Sequence, residues 1–178
     1  MLFIQLTGLS GSGKSTIAIG VKRLLESKGL YIEVVDGDIY RKQLCSDLGF
    51  SKEDRLENIR RLGSVCNEFA RNGIIAILAA INPFEAMRKK LSLYGPHVKK
   101  VWIDCDLKLL IDRDTKQLYR KAMLPDNHPD KIHNLTGVND PYEIPLNPDL
   151  IINTGTDNKE RSIIILADFI LQECNLNS

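Results

Sequence analysis

A chain of 178 residues is long enough for one domain with a sizeable core, and its 26% charged and 43% hydrophobic residues exclude a disordered or fibrous protein. The 24 basic and 23 acidic residues give a net charge of +1, which excludes the strongly basic surface typical of proteins that bind nucleic acid or anionic membranes. The four scattered cysteines suit a reducing cytosol, and no apolar stretch approaches the ~20 residues of a membrane span, so we expect a cytoplasmic protein.

Strands and helices are predicted to alternate along the chain. Strands are predicted at 2–6, 31–35, 74–80, 98–104 and 150–152, and helices at about 16–28, 52–71, 84–93 and 159–173. Ser51 is a plausible N-cap for the second of these helices, which buries Ile59, Leu62, Cys66 and Phe69. The basic run Arg88-Lys89-Lys90 is interpreted as a solvated helix face. Such alternation predicts an α/β fold with a five-stranded parallel sheet and helices on both faces.

One segment breaks this alternation. Residues 125–148 hold five of the seven prolines and show little periodicity. A loop of this length inside a compact domain is usually a lid or a disordered piece. Basic residues precede it and suit closure over phosphates, namely Arg113, Lys116, Arg120 and Lys121. An ordinary amphipathic helix followed by a surface loop is the alternative. We expect one domain over residues 1–178, with a lid at about 113–148.

The strongest motif is a complete G-x-x-x-x-G-K-S sequence between a strand and a helix, which is the context this motif requires. Its residues, with the threonine that follows, are Gly8, Leu9, Ser10, Gly11, Ser12, Gly13, Lys14, Ser15 and Thr16. The glycines allow backbone N–H groups to surround phosphate oxygens at the positive end of the helix. Lys14 is predicted to reach the β- and γ-phosphates of ATP, and Ser15 to ligate Mg²⁺. The motif does not identify the group that receives the phosphate.

A pair of carboxylates follows the second strand, in the sequence Asp36-Gly37-Asp38. Ligands of open parallel sheets gather at the carboxyl ends of the strands, so both side chains are expected near the γ-phosphate. Asp38 is then the candidate to orient or deprotonate an acceptor hydroxyl, and Asp36 to hold Mg²⁺ through water. The alternative is a strand-ending turn in which the aspartates only cap backbone groups.

Two further basic residues and an amide are candidates to bind an anionic acceptor. Arg55 and Asn58 share one face of a predicted helix, because residues three apart are neighbours on a helix surface. Arg41 lies three residues after Asp38. The residue pattern alone leaves open whether these side chains are only solvated.

Other classes fit less well. A P-loop GTPase needs an N-K-x-D motif, but Asn158-Lys159 is followed by Glu160 and Arg161. A nucleotide-binding module without catalysis is expected to lose Lys14 or the acidic pair, and both are present. The three histidines show no metal-ligand spacing.

The chain resembles the adenylyl-sulfate kinase family, which phosphorylates the 3′-hydroxyl of adenosine 5′-phosphosulfate. The similar segments are GLSGSGKST at 8–16, DGD at 36–38, DLGFSKEDRLENIRR at 47–61, INPF at 81–84, RDTKQLYRKA at 113–122 and NLTGVNDPYEIPLNPDL at 134–150. They cover nearly the whole chain in the family's order. The resemblance implies an ATP-dependent kinase of the P-loop fold that acts on a nucleotide-like substrate.

The resemblance also implies roles for individual residues of the acceptor site. Asp38 is placed near the acceptor hydroxyl. Arg41, Arg55 and Asn58 are placed on the phosphosulfate and ribose of the acceptor, and Phe50 is placed against its adenine.

Further positions follow from the same resemblance. Ile81 and Asn82 are placed at the acceptor, and Lys121 belongs to the lid that closes across the phosphates. Arg113 is assigned to the ATP site. The family works as a homodimer, so a homodimer is expected here.

Four departures from the family pattern lie on the acceptor side or in the lid. The phenylalanine of the family's N-F-T-G motif, which forms the second face of the base site, is Leu135 here. The serine of the I-S-P motif, sometimes phosphorylated in the family, is Asn82. The R-D-P-K-G-L-Y motif reads RDTKQLY at 113–119, and the lid segment 123–133 is several residues longer.

These departures leave two acceptors open. The first is adenylyl sulfate, bound with a looser grip on adenine, because the loss of one aromatic partner costs ~1–3 kcal/mol of stacking. The second is another nucleoside 5′-diphosphate-like acceptor such as cytidine diphosphoramidate, used in some bacterial capsule pathways. A pyrimidine offers less surface to stack, so it would lose less from leucine at position 135.

Overall fold

A single parallel sheet forms the centre of the computed structural model, which describes residues 1–176. Its strands are β1 (Phe3–Thr7), β2 (Ile32–Asp36), β3 (Ile75–Ala79), β4 (Val98–Asp104) and β5 (Leu150–Asn153), in the order β2-β3-β1-β4-β5. All four strand pairs are parallel. The predicted five-stranded parallel sheet is confirmed, and each strand lies within one or two residues of its predicted position.

Helices cover both faces of this sheet, as the alternating pattern predicts. They are α1 (Lys14–Glu26), α2 (Gly37–Leu44), α3 (Lys52–Arg71), α4 (Glu85–Ser92), α5 (Leu107–Arg113), α6 (Leu118–Ala122) and α7 (Lys159–Leu176). No helix within residues 1–176 is long and apolar enough to cross a membrane.

Two hydrophobic clusters fill the space between the sheet and its helices. Strands β1 and β3 are buried along their whole length because helices cover both of their faces. On one face, Ile4 and Leu6 pack with side chains of α1 and α7. On the other face, Phe3 and Leu78 pack with Leu62 and other side chains of α3 and α4. The carboxyl ends of β1, β2 and β3 therefore meet at one edge of a rigid layer, and the glycine-rich loop at 8–15 follows β1 there.

The start of α3 is fixed by a capping box. The Ser51 hydroxyl oxygen accepts a hydrogen bond from the Asp54 backbone N–H at 3.1 Å, and the Ser51 N–H donates to the Asp54 carboxylate at 3.4 Å. The predicted N-cap is thus confirmed. Further along α3, Phe69 is only partly buried, contrary to prediction, and the neighbouring Ala70 lies in the core instead.

The prediction that the basic run on α4 is a solvated face is wrong for Arg88. Its side chain is fully buried, at 0% exposure, whereas Lys89 and Lys90 are exposed. The Arg88 guanidinium donates to the Glu85 carboxylate at 2.7 Å and to the Asn82 and Glu143 carbonyl oxygens at 2.8 and 2.7 Å. Arg88 is buried because residues 142–146 cross over this face of α4 and supply acceptors for its N–H groups.

Glu85 is the centre of this buried charge cluster. It also accepts hydrogen bonds from the Lys100 ammonium at 3.1 Å and from the Leu146 N–H at 3.3 Å. Burial alone would raise the pKa of the Glu85 carboxyl, but the hydrogen bonds from Arg88 and Lys100 lower its pKa overall. The ionised carboxylate therefore ties α4 to the segment that returns from the lid.

The lid segment begins where one short helix ends, contains a second short helix and is then irregular. Helix α5 ends at Arg113 and α6 lies within the segment, while residues 123–149 contain only turns, bends and one isolated bridge between Thr136 and Asp140. A small hydrophobic cluster lies beneath these helices, and we call it the lid cluster: Cys105, Leu110, Tyr119, Ala122 and Leu135, with Leu9 packed against it. The lid is thus packed onto the loop that follows β1.

Candidate active site

The loop at 8–15 joins β1 to α1 in a conformation that needs glycine. Gly8 has φ 154°, and a Cβ there would lie 2.4 Å from the carbonyl oxygen of Ile103 on β4. Side chains from elsewhere hold the loop on its outer side. The Tyr119 hydroxyl donates to the Ser10 carbonyl oxygen at 2.8 Å, and the Thr154 hydroxyl donates to the Ser12 carbonyl oxygen at 3.0 Å. The loop is therefore preorganised by contacts with the lid and with the residue that follows β5.

Lys14 is the cation of this loop. Its ammonium donates to the carbonyl oxygens of Gly8 and Leu9 at 2.9 and 2.7 Å, and the side chain is buried. Burial, followed by the nearby charge of Lys116, lowers the pKa of Lys14 to about 7. An anion beside Lys14 would favour its charged form, and a triphosphate bound by the loop would supply that anion.

Asp36 caps a helix and also contacts Ser15. One carboxylate oxygen accepts from the backbone N–H groups of Asp38 and Ile39, at 2.9 and 3.3 Å, and so caps α2. The other carboxylate oxygen accepts a hydrogen bond from the Ser15 hydroxyl. Hydroxyl and carboxylate oxygens are the hard donors that Mg²⁺ prefers, so this pair fits the predicted metal site.

A cavity opens between this loop and the lid, and we call it the phosphate cavity. Its lining includes Lys14, Ser15, Asp38, Ile81, Thr115 and Lys116. Lys116 forms an ion pair with the Asp38 carboxylate across the cavity. It is held by a sharp turn in which Asp114 and Gln117 both have positive φ, 24° and 55°. Sequence reasoning expected Lys116 near phosphates but missed its partner, Asp38, and missed Thr115.

A second groove lies on the other side of the same loop. Arg113, Thr154, Asp157 and Asn158 line it together with Gly13 and Thr16. The Arg113 guanidinium donates to the Thr154 carbonyl oxygen at 3.1 Å. The groove adjoins the phosphate cavity, because Gly11, Gly13 and Thr16 line both. The sequence analysis identified Arg113 but missed Thr154, Asp157 and Asn158. These residues follow β5, and ligands of parallel sheets gather at the carboxyl ends of the strands, so their position could have identified them.

A third cavity, which we call the arginine cavity, lies across the sheet edge from the loop. Its lining includes Asp38, Arg41, Phe50, Arg55, Asn58, Ile59, Ile81, Asn82 and Pro83. The Arg41 guanidinium lies over the exposed Phe50 ring, 4.3 Å from its centroid, and the Arg55 guanidinium is 5.7 Å from it. The structure thus brings together seven of the nine residues that the sequence assigned to an acceptor.

Arg55 is also joined to the lid. Its guanidinium donates to the Asn134 carbonyl oxygen at 2.6 Å and the Thr136 hydroxyl at 2.9 Å, and pairs with the Asp140 carboxylate at 2.7 Å. Sequence reasoning missed Thr136 and Asp140, although both lie in the segment 134–150 that it singled out. These contacts couple the position of the lid to the face of α3 that carries Arg55.

Two residues assigned to the acceptor lie elsewhere. Leu135 is 6% exposed and packs in the lid cluster, and it is not among the residues lining the arginine cavity. Lys121 is exposed on α6 and lines neither the phosphate cavity nor the arginine cavity. Their assigned roles stay predictions.

The phosphate cavity and the arginine cavity share part of their lining. Asp38, Ala80 and Ile81 contribute to both. The two cavities therefore adjoin at Asp38, Ala80 and Ile81.

Several known proteins are similar to this chain. The family model for adenylylsulphate kinase matches residues 1–153. An adenylyl-sulfate kinase from Clostridium kluyveri is 42% identical over 170 residues, covering 95% of this chain and 83% of that protein. A probable bifunctional SAT/APS kinase from Sorangium cellulosum is 43% identical over 160 residues, and the chain spans 27% of its length. Among solved structures, a Mycobacterium tuberculosis APS kinase in complex with AMPPNP and APS is 37% identical with a TM-score of 0.84, covering 98% of this chain and 97% of that one.

Proposed function

The chain belongs to the adenylylsulphate kinase family, and on this premise we propose that it transfers the γ-phosphoryl group of ATP to the 3′-hydroxyl of adenylyl sulfate. One observation carries the proposal: the phosphate cavity and the arginine cavity meet at Asp38. Two substrates bound on either side of this carboxylate have their reacting groups adjacent, which is the arrangement that phosphoryl transfer requires.

The residues of the two cavities position the substrates and stabilise their charges. Residues 8–16 hold the phosphates of ATP through backbone N–H groups and the Lys14 ammonium. Arg41 and Arg55 bind the anionic end of the acceptor, with Asn58 beside them and the base against Phe50. Asp38 accepts or orients the proton of the attacking hydroxyl. Phosphoryl transfer demands mainly this kind of preorganisation, since little covalent chemistry falls to the protein.

Lys116 supplies a second positive charge at the point of transfer. In the structure it pairs with Asp38 and lines the phosphate cavity. Lys14 and Lys116 together face the place where charge develops on the transferring phosphoryl group. Because Lys116 belongs to the lid, its ammonium is in the site only when the lid lies over the phosphate cavity.

Mg²⁺ is proposed as the cofactor, bound together with ATP. Ser15 would ligate it and Asp36 would hold it through water, since their oxygens already lie within hydrogen-bonding contact. When bound, the ion neutralises charge on the phosphate oxygens.

Further properties are proposed from the family resemblance. Residues 1–178 act as one P-loop kinase domain with a lid at about 113–148. The protein works as a homodimer in the cytoplasm, and its reaction belongs to sulfate assimilation.

The second candidate acceptor is cytidine diphosphoramidate or a similar nucleotide. The observation that favours it is the position of Leu135 in the lid cluster, which leaves Phe50 as the aromatic side chain lining the arginine cavity. A single stacking face suits a small pyrimidine better than it suits adenine.

A coupled ADP-release assay tests the proposed function. Purified protein with Mg²⁺ and ATP is given adenylyl sulfate and, separately, cytidine- and uridine-based diphosphate analogues. We expect turnover of adenylyl sulfate with the highest kcat/KM. A higher kcat/KM for the cytidine analogue would contradict adenylyl sulfate as the acceptor and support the second candidate. The proposal fails if no acceptor stimulates ADP release and calorimetry detects no ATP binding.

The variant Leu135→Phe is expected to lower the KM for adenylyl sulfate by about tenfold, which corresponds to ~1.4 kcal/mol. The lid cluster is packed around a leucine, and an aromatic ring there costs ~1–3 kcal/mol of overpacking. The ring should therefore turn toward Phe50 and supply a second stacking face. Initial rates with each substrate varied in turn measure this. Leu135→Met is the control, because it keeps the volume, and a change confined to the KM for ATP would contradict the prediction.

A further inference from the structure

Two buried amide oxygens at the arginine cavity have no hydrogen-bond partner within residues 1–176. They are the Oδ1 atoms of Asn58 and Asn82, whose residues are 8% and 1% exposed. Buried side-chain oxygens are nearly always paired, and leaving one unpaired is costly. Both asparagines line the arginine cavity. A ligand that brings a hydrogen-bond donor into this cavity would remove the deficit.

The amide of Asn82 is held in one orientation by Gln5. The Gln5 side-chain N–H₂ donates to the Arg88 carbonyl oxygen and to the Ser92 hydroxyl, both at 3.2 Å. The remaining Gln5 oxygen faces Asn82 and accepts from its Nδ2 at 3.4 Å. A reversed Asn82 amide would set two oxygens against each other. The hydrogen-bond network therefore turns the Asn82 nitrogen toward Gln5 and its oxygen away from it.

The backbone of Asn82 is fixed as firmly as its side chain. It has φ 43°, a conformation that asparagine tolerates better than most residues. Its carbonyl oxygen accepts hydrogen bonds from Arg88 at 2.8 Å and from the Thr7 hydroxyl at 3.1 Å. Asn82 thus presents its side chain from a rigid support, which is what a residue that discriminates between ligands requires.

The chemistry of the cavity determines what this oxygen can accept. Arg41 and Arg55 would donate hydrogen bonds to the anionic oxygens of a bound acceptor, whereas the side-chain Oδ1 atom of Asn82 would repel those oxygens. It must face a neutral N–H or O–H group of the acceptor. Asp38 and Ile81, which also line the phosphate cavity, take the reacting hydroxyl. Asn82 and Phe50 line the arginine cavity and not the phosphate cavity. Phe50 is the aromatic side chain there, so the proposed function places the base on this side of the cavity.

We propose that Asn82 is a specificity-determining residue whose Oδ1 atom accepts a hydrogen bond from an exocyclic amino group of the acceptor's base. This inference rests on the proposed function, since it assigns the base to the side of the arginine cavity that holds Phe50. The amino group meant is the one at C6 of adenine or C4 of cytosine, so the substrate class is nucleotides of these two bases; guanine carries an oxygen at C6. Bases with an oxygen in place of the amino group, such as hypoxanthine and uracil, would place two acceptor atoms together and leave both unpaired.

The test compares acceptors that differ only in this group. The kcat/KM is measured for adenylyl sulfate and for inosine 5′-phosphosulfate, and then for matched cytidine and uridine 5′-diphosphate analogues. For the native chain we expect the amino acceptor of each active pair to be favoured by about 10- to 100-fold. In Asn82→Gly, which suits the positive φ and removes the amide, we expect the ratio to fall to about threefold or less.

Two further variants separate recognition from structure. Asn82→Ser, whose hydroxyl is too short to replace the amide, should also lower the ratio, and it serves if Asn82→Gly does not fold. Asn72→Ala alters an exposed asparagine at the end of α3 and should keep the native ratio. Equal losses with both acceptors of a pair would indicate a structural role and overturn the inference.

The outcomes also distinguish this inference from the proposed function. A native chain that phosphorylates adenylyl sulfate and its inosine analogue equally well refutes the role of Asn82 and leaves the function intact. Turnover of the cytidine analogue alone, with a strong preference over uridine that Asn82→Gly abolishes, refutes adenylyl sulfate as substrate and supports Asn82. Binding and turnover of none of the four acceptors contradicts both.

Discussion

Replacing Lys14 by alanine is expected to lower kcat by about 10³-fold or more, with the fold retained. The Lys14 ammonium is buried beneath the phosphate cavity and is the cation carried by the loop itself. Preorganised charge at a transferring phosphoryl group acts in the transition state, and the loss of one such donor typically costs ~10²–10³ in kcat. Lys14 is also proposed to contact the phosphates of bound ATP in the ground state, so weaker ATP binding should accompany the loss of rate.

Steady-state rates and calorimetric ATP binding measure this effect. Lys22→Ala is the matched control, because Lys22 lies two turns further along α1 and pairs with Glu33 on the surface at 2.9 Å. It should change kcat by less than about twofold. Thermal melting should show that Lys14→Ala is folded. A folded Lys14→Ala protein with kcat within tenfold of the native value would refute the proposed role of the loop.

Replacing Arg88 by methionine is expected to lower the free energy of unfolding by about 3–5 kcal/mol. The substitution leaves the buried Glu85 carboxylate with Lys100 as its remaining cation, and it leaves the Asn82 and Glu143 carbonyl oxygens without this donor. Removing one member of a buried charged network costs more than the network contributes, because the partners stay buried and lose their pairing. Against a typical total of ~5–15 kcal/mol, this loss is severe.

Urea unfolding measures the loss, with Lys89→Met as the control. Lys89 is the next residue on α4 and is exposed, so its replacement should change stability by less than about 0.5 kcal/mol. Arg88→Lys should recover only part of the loss, since one ammonium does not reach three acceptors in the geometry of a guanidinium. A loss below 1 kcal/mol for Arg88→Met would show that the buried cluster is not important for stability.

The same cluster connects stability with the site. Arg88 holds the carbonyl oxygen of Asn82 on one side and that of Glu143 on the other. Arg88 therefore holds both Asn82, which is proposed to contact the base, and the segment 142–146 that crosses α4. Substitutions of Arg88 are expected to affect acceptor recognition as well as folding.

Local features of this protein could be predicted from the sequence because their causes lie within a few residues. The loop at 8–15 depends on glycine and lysine at fixed spacing, and the start of α3 depends on Ser51 and Asp54, three residues apart. The strands depend on continuous apolar runs that any α/β sheet would bury. Most of the acceptor residues followed from a family resemblance carried by contiguous motifs.

Tertiary structure decided the features that join distant parts of the chain. Arg88 is buried because residues 142–146 cross it, and no pattern within α4 distinguishes it from the exposed Lys89. Leu135 enters the lid cluster rather than the arginine cavity, and Lys116 meets Asp38 from 78 residues away. Such contacts depend on how separate elements pack, and hydrophobic periodicity carries no information about which charged side chains will meet. The sequence by itself determined the chemistry available to this protein, and packing determined which groups face one another.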